Sequence, residues 1–279
     1  MTTVTQSPVR ASIVRQALLL IAVVLVLFPF LWIAAAAFKT QIVLLTGQIF
    51  FTPTLANFAE VLFSSTSDYI RNFTNSFIVA TVSTFLVLVI STLAAYSLQR
   101  MEWPSWVGQS MLGWSVIFHM VPPITLAGAW YSMFRIVGLD NTYLGLILAH
   151  TTLNLPMALW MMNVFVRDVP KELIEAAKID GAETPGILRH VIIPLVRPGL
   201  AAAGILSFIF SWNEFAVVLT LSQRQTATVP VAIGKYAQEN TIAFTQMAAA
   251  SLLSMLPAVI LLLVAQRFIV RGLTSGAVK

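Results

Sequence analysis

Residues 17–38 run for 22 positions without a charged or hydrogen-bonding side chain, apart from the indole of Trp32. At 1.5 Å per residue such a helix spans roughly 33 Å, enough to cross a hydrocarbon core of about 30 Å. A run of that length confines the chain to very few folds. Composition removes most of those that remain. Hydrophobic residues are 58% of the chain, charged residues only 10%, and the mean hydropathy is +0.86. An ordinary soluble domain carries about 25% charged residues, and 27 charged groups could not cover a soluble surface of this size. The sequence therefore describes an integral membrane protein.

Five further apolar stretches follow. Residues 77–98 supply a second span, inside a charge-free segment from 73 to 99. Residues 103–134 are also charge-free but too long for one straight crossing. His119 and Pro122-Pro123 lie within them, which predicts a third span that is broken or ends early. Residues 142–166 give a fourth span, interrupted at Pro156. Residues 199–221 give a fifth, carrying Asn213 and Glu214, and residues 243–265 a sixth, kinked near Pro257. Pro29 is placed to kink the first. The expectation is an all-α polytopic membrane protein of about six transmembrane helices. Its parts are an N-terminal tail at 1–16, a membrane domain at 17–266 and a C-terminal tail at 267–279. The first apolar run exceeds a signal-peptide core and is read as a retained helix.

Lys and Arg counts orient the spans. With the N-terminus inside, eleven cations fall on the cytoplasmic side (Arg10, Arg15, Arg100, Arg167, Lys171, Lys178, Arg189, Arg197, Arg267, Arg271, Lys279). Five fall outside (Lys39, Arg71, Arg135, Arg224, Lys235). Both termini are thus expected in the cytoplasm. Residues 39–71 become an irregular, amphipathic outer segment, and 167–197 a cytoplasmic one. The net charge of +5 forms no basic stripe or tail, so it indicates anionic lipid headgroups as neighbours and no nucleic acid. The absence of cysteine excludes disulfide and thiolate chemistry.

Residues 167–197 hold ten of the 27 charges. Within them, Asp168 through Gly181 read as a short helix. Asp168 is suited to accept from N–H groups at its start, Pro170 to its first turn, and Gly181 to the left-handed position that closes it. Leu173, Ala177 and Asp180 share one side. Thr184-Pro185 repeats the opening signal for a second helix, predicted to stop at Pro194. Ala176, Ala177, Gly181 and Ala182 let another surface come close, while Glu175, Lys178 and Asp180 supply charge for registration. Taken alone, the pattern fits a docking knob or an interfacial helix pair equally.

The spacing Glu175-Ala176-Ala177, three residues, Gly181, nine residues, Val191-Ile192-Ile193-Pro194 resembles the signature of the inner-membrane permease subunits of binding-protein-dependent ABC importers. That family has Glu-Ala-Ala, Gly and Ile-x-Leu-Pro at these intervals, and Val191 and Ile193 depart conservatively. The similarity extends over nearly the whole chain, in the carbohydrate branch typified by the maltose permease G subunit. It includes Asn75-Ser76, Ala94-Ala95-Tyr96, Pro122-Pro123, Asn141-Thr142, Gly145 through Leu148, Trp212 through Phe215 and the tail from Gln266. The resemblance implies a coupling helix between the fourth and fifth spans, containing Glu175, Ala176, Ala177, Lys178, Asp180, Gly181, Ala182 and Pro194, that docks on an ATPase. It implies as partners a second, related permease, two cytoplasmic ATPase subunits, an extracytoplasmic solute-binding protein and a carbohydrate. ATP and Mg would belong to the ATPase, with no cofactor on this chain.

Ionisable and amide groups inside spans mark functional candidates. Glu214, sixteen residues into the fifth span, is either a pathway carboxylate or an interfacial group beside Asn213. Asn75 and Asn154 could line a polar route or bond helix to helix. His119 and His150 lack metal-ligand spacing. A self-contained secondary transporter or channel would need paired intramembrane charges or a filter-like glycine run, and neither is visible. A membrane enzyme would need a motif such as His-Glu-x-x-His, which is absent. There is no phosphate-binding Gly-rich loop, so ATP hydrolysis is expected on another chain. No arginine pair sits inside the spans, which favours a neutral sugar, oligosaccharide or sugar alcohol over a glycerol phosphate-type solute.

Overall fold

A bilayer offers no water to the backbone, so apolar runs must close their hydrogen bonds internally as helices. The computed structural model describes residues 8–237 and 242–275, with side chains for 14–237 and 242–264. Among the described residues every regular element is helical. In chain order these are α1 (Pro8–Ala37), α2 (Gln41–Leu45), α3 (Ala56–Phe63), α4 (Tyr69–Arg100), α5 (Ser105–Met120), α6 (Pro123–Ile136) and α7 (Tyr143–Arg167). Then come α8 (Lys171–Ile179), α9 (Thr184–Ile187), a π-helical turn (Leu188–Ile192) and α10 (Ile193–Leu195). The chain continues through α11 (Arg197–Trp212), α12 (Ala216–Leu221), α13 (Val229–Lys235) and α14 (Phe244–Ser275). The tail expected at 267–279 continues α14 in its backbone as far as Ser275. Its side chains, and residues 1–7 and 276–279, lie outside the described residues.

Four of these helices are long and apolar enough to cross a membrane, and the number reaches six if each of two bent pairs is one span. One bent pair is α5 with α6, at 98°. Val121 and Pro122 break it, and Pro123 then opens α6, where its missing N–H costs nothing. The other is Thr184–Leu195 with α11, at 78°. This corrects the expected fifth span: residues 199–221 are not one helix, because α11 stops at Trp212 and α12 restarts at Ala216.

Two units make up the chain. The first comprises residues up to 67 with 233–253. Its α1 is apolar on all sides and exposed from residue 14 to 33. Lys39, just beyond α1, is only 5% exposed. Its ammonium donates to Gln48 O at 2.7 Å and lies over the rings of Trp32 and Phe51, which offsets the cost of burying the charge. Gln41 ties this segment to the start of α14, donating to Ile242 O at 2.7 Å and accepting from the Thr245 N–H and hydroxyl.

The second unit comprises 68–232 with residues from 254 onward. Its centre is α7, whose apolar window is more than half buried. Thr142 caps α7, accepting from Gly145 N–H at 3.0 Å and donating to Leu139 O at 2.7 Å. A β-carbon at Gly145 would strike the Leu139 carbonyl. Gly199 similarly lets the start of α11 meet α7, since a β-carbon there would enter the Phe165 ring. Small residues at such crossings are what membrane helices use to approach closely.

Candidate functional site

The insertion between α7 and α11 is built on the apolar foot of the second unit. Ile174, Ile187, Ile192 and Val196 are buried in one cluster with Ala95 and Tyr96 of α4, Ala158 and Met162 of α7, and Ala203 of α11. The insertion therefore shares a single core with three spanning helices. A displacement of α8 has no soft layer in which to dissipate, since close-packed interiors transmit strain.

The ends of α8 differ from the sequence expectation at the start and match it at the finish. Asp168 closes α7, its N–H bonded to Val164 O, and does not cap α8. Pro170 occupies the N-cap position, one residue before the helical turn. The reason is that α7 continues to Arg167, so its last carbonyls compete for the same short linker. At the other end Gly181 has φ +82°. Its N–H donates to Lys178 O at 3.0 Å and that of Ala182 to Ala177 O at 2.9 Å, the paired bonds of a Schellman closure. Open space surrounds the Gly181 α-carbon, so glycine is required there by backbone conformation and not by crowding.

The same turn sorts the motif by direction. Ile174 is buried and Ala177 and Ala182 are half-buried against the cluster, so these two alanines serve the chain's own core. Glu175, Ala176, Lys178, Asp180 and Gly181 are exposed, and Ile179 is 87% exposed at the end of α8. Glu172 in the first turn and Lys178 in the last complement the helix dipole. The second helix does not stop at Pro194, contrary to the sequence expectation. Leu188–Ile192 widen into a π-turn and the helix runs on to Leu195. Such a bulge relieves the clash between a proline ring and the preceding turn.

Two side chains that the sequence reading passed over hold this foot. The Arg100 guanidinium, at the end of α4, donates to Val166 O at 2.7 Å, to Arg167 O at 3.5 Å and to Val169 O. It thereby satisfies carbonyls at the α7 terminus. Gln99 donates to Asn163 Oδ1 at 2.7 Å. By charge count Arg100 is only one cytoplasmic cation. Its place immediately after the charge-free run 73–99, at the end of a helix, is the signal the sequence offers.

The polar span residues have local partners. Asn75 donates to Gln225 O and Ala227 O at 2.8 and 2.9 Å and accepts from the Tyr143 hydroxyl at 2.6 Å. With Ser76, whose Oγ accepts from Val229 N–H at 2.8 Å, it pins the segment following α12. Asn141, at φ 53°, holds the same segment by accepting from Gln223 N–H and the Thr226 hydroxyl. Asn154 donates to His150 O at 2.8 Å. The His150 ring meets Ser211 Oγ at 2.6 Å, and Ser211 meets Ser83 at 3.2 Å, a buried chain across α7, α11 and α4. Asn213 is exposed and bonds Ile209 O. Glu214 caps α12, its two carboxylate oxygens accepting from Val217 and Val218 N–H at 2.9 and 3.0 Å. Among the described residues no group of three His, Cys, Asp or Glu could hold a metal.

Comparison with known proteins gives this arrangement its context. Residues 87–275 match the family described as binding-protein-dependent transport system inner membrane component. The chain is 36% identical over 262 residues to the trehalose transport system permease protein SugB of Mycobacterium tuberculosis, covering 91% of this chain and 92% of that one. It is 34% identical over 278 residues to the trehalose/maltose transport system permease protein MalG of Thermococcus litoralis, covering 97% and 99%. It is 35% identical to the sulfoquinovosyl glycerol transport system permease protein SmoH of Agrobacterium fabrum, covering 91% and 89%. In fold it is similar to a chain of a bacterial ABC transporter involved in import of the acidic polysaccharide alginate, with TM-score 0.78, 20% identity and coverage of 96% and 99%. The chain belongs to the binding-protein-dependent inner-membrane component family, and is a multi-pass inner-membrane permease of an ABC importer.

Proposed function

We propose that this permease carries a neutral carbohydrate, and that α8 with its Gly181 turn is the coupling helix seated on a separate ATPase. The observation that carries the reading is the shared core. Ile174, Ala177 and Ala182 face into the cluster that α4, α7 and α11 build, while Glu175, Lys178, Ile179 and Asp180 face away from it. One side of the helix is fixed to the spans and the other is free to be gripped. Glu175 and Gly181 are mechanical residues with no catalytic part.

In this reading both termini and 167–197 are cytoplasmic, and 39–71 faces outward within a permease domain of 17–266. A second, related permease completes the pathway, two ATPase subunits bind ATP and Mg, and an extracytoplasmic binding protein delivers solute. ATPase closure moves α8, and the shared core passes that motion to the spans, exchanging outward for inward access. Asn213 and Glu214 stand at the break beyond α11, where irregular backbone at membrane depth needs burial in protein or a water-lined cavity, and in this reading they border the route. Asn75 braces α4 against α7 and the segment after α12, while Asn154 is bonded within α7.

Support for the solute class comes from the names of the relatives, two of which mention trehalose. An anionic solute is the second reading, favoured by the 35% match to SmoH, named for sulfoquinovosyl glycerol. Uptake by proteoliposomes holding the full complex and its binding protein tests both. ATP-dependent uptake of a radiolabelled neutral disaccharide is expected. Uptake of only an anionic glycoside would replace the first reading with the second.

A further inference from the structure

We infer that a groove on the outer surface of the second unit binds an anionic phospholipid of the cytoplasmic leaflet, with its phosphate on Arg189. The groove has a volume of about 500 Å³ and is walled by α4, by the Pro185–Ile193 stretch of the insertion and by Leu200 of α11. Leu88 and Leu93 face Leu188 and Ile193 across it. From Phe85 to Leu93 the α4 wall extends eight residues, or about 12 Å of helix rise. That is an apolar slot alongside α4, long enough to take part of an acyl chain.

Polar demand inside the slot is already met. The only uncharged polar side chain in the wall is Thr92, and its hydroxyl donates to Leu88 O at 2.6 Å. The remaining polar group is Arg189, which is exposed and forms no ion pair among the described residues. An apolar slot closed by one unpaired guanidinium is complementary to a lipid that carries net negative charge. Guanidinium binds phosphate with two parallel hydrogen bonds, and an anionic headgroup gains attraction that a zwitterionic one does not. Because the walls come from α4, the second half of the insertion and α11, a lipid lodged there braces the Pro185–Ile193 stretch against α4 and α11. The leaflet assignment rests on the cytoplasmic placement of the insertion proposed above.

The test uses the complex extracted from its membrane and analysed by native mass spectrometry with lipid quantification. Wild-type complex should retain phosphatidylglycerol through exchange against phosphatidylcholine micelles. Arg189→Ala should lower retention by about fivefold and Arg189→Glu further, with Arg189→Lys intermediate. Leu88→Trp, which fills the slot, should displace the lipid while Arg189 stays in place. Equal retention by wild type and Arg189→Glu would overturn the proposal. So would equal retention of phosphatidylcholine and phosphatidylglycerol, or a disulfide between Thr92→Cys and a cysteine on the second permease, which would make the groove a subunit contact. Lipid retention is read on this chain whether or not an ATPase copurifies. Loss of the ATPase with lipid retained would therefore count against the coupling reading and leave the site standing.

Discussion

α11 is interrupted at both ends, and the two interruptions are closed in different ways. At its start, the bend between Leu195 and Arg197 lies against a cluster of fully buried aliphatic side chains, Ile187, Ile192 and Val196 among them. At its finish, Trp212 gives way to Asn213 and Glu214, and the gap is closed by hydrogen bonds from the α12 backbone to one carboxylate. The first break is joined to three spans by packing, so it moves with them. The second is packed as well, with Val217, Val218 and Leu221 of α12 buried against α4, α6 and α7, and it adds a carboxylate cap to that packing. Both ends of α11 are thus tied to neighbouring helices, the first by apolar packing alone and the second by packing and a polar cap.

Loosening the insertion and the foot it packs on should give the largest effects. Arg100→Ala removes the side-chain donor to the Val166, Arg167 and Val169 carbonyls, of which Val166 O keeps the Val169 N–H, and an unsatisfied buried group costs about 1–3 kcal/mol. Thermal unfolding of the detergent-solubilised complex should shift down clearly, and Arg100→Lys should restore part of it. Gly181→Val comes next. A β-branched residue at φ +82° is strained by about 1–3 kcal/mol, while Gly181→Asn, tolerated in that region, should cost less. ATP-driven uptake should fall with Val and largely survive with Asn, with membrane insertion equal in both. If Val and Asn behave alike, the turn is not the transmitting element.

Ile179→Glu separates docking from folding. The side chain is exposed, so chain stability should change by less than about 0.5 kcal/mol. ATPase binding, measured by copurification against ATPase concentration, should weaken about tenfold or more, as expected of a central apolar contact. Glu214→Ala should be the mildest of the series. Losing a helix cap costs about 0.5–2 kcal/mol, local to α12, and ATPase copurification should be unchanged. Release of the ATPase by Glu214→Ala would erase the contrast between the two interruptions.

The turns and breaks of the chain are legible in the sequence to different degrees. Gly181, flanked by charge and small residues, predicted the left-handed closure that φ +82° displays. Pro122-Pro123 marks a break or an early end of the third span, and the structure has the break there. Those signals are local, and local chemistry decides them. Glu214 was read as a carboxylate inside a span because residues 199–221 are continuous in hydropathy. Hydropathy has no means of registering that one carboxylate can accept the first N–H groups of a new helix. Asp168 was assigned to the wrong helix for a related reason, since either end of a short linker can use it and the extent of α7 decides. The inward direction of Ala177 and Ala182 was out of reach, because it depends on Ile187 and Ile192 returning from later in the chain to pack beneath them.

The central claim is that the exposed face of α8 and its closing turn hold the ATPase. Affinity purification on this subunit followed by intact-complex mass spectrometry tests it most directly, comparing wild type with a chain carrying Ile179→Glu and Gly181→Val together. The account predicts a wild-type mass with one related permease and two ATPase copies, and a double variant that keeps the permease partner but loses the ATPase. A double variant that retains both ATPase copies, or a wild-type chain stable without any, would contradict it.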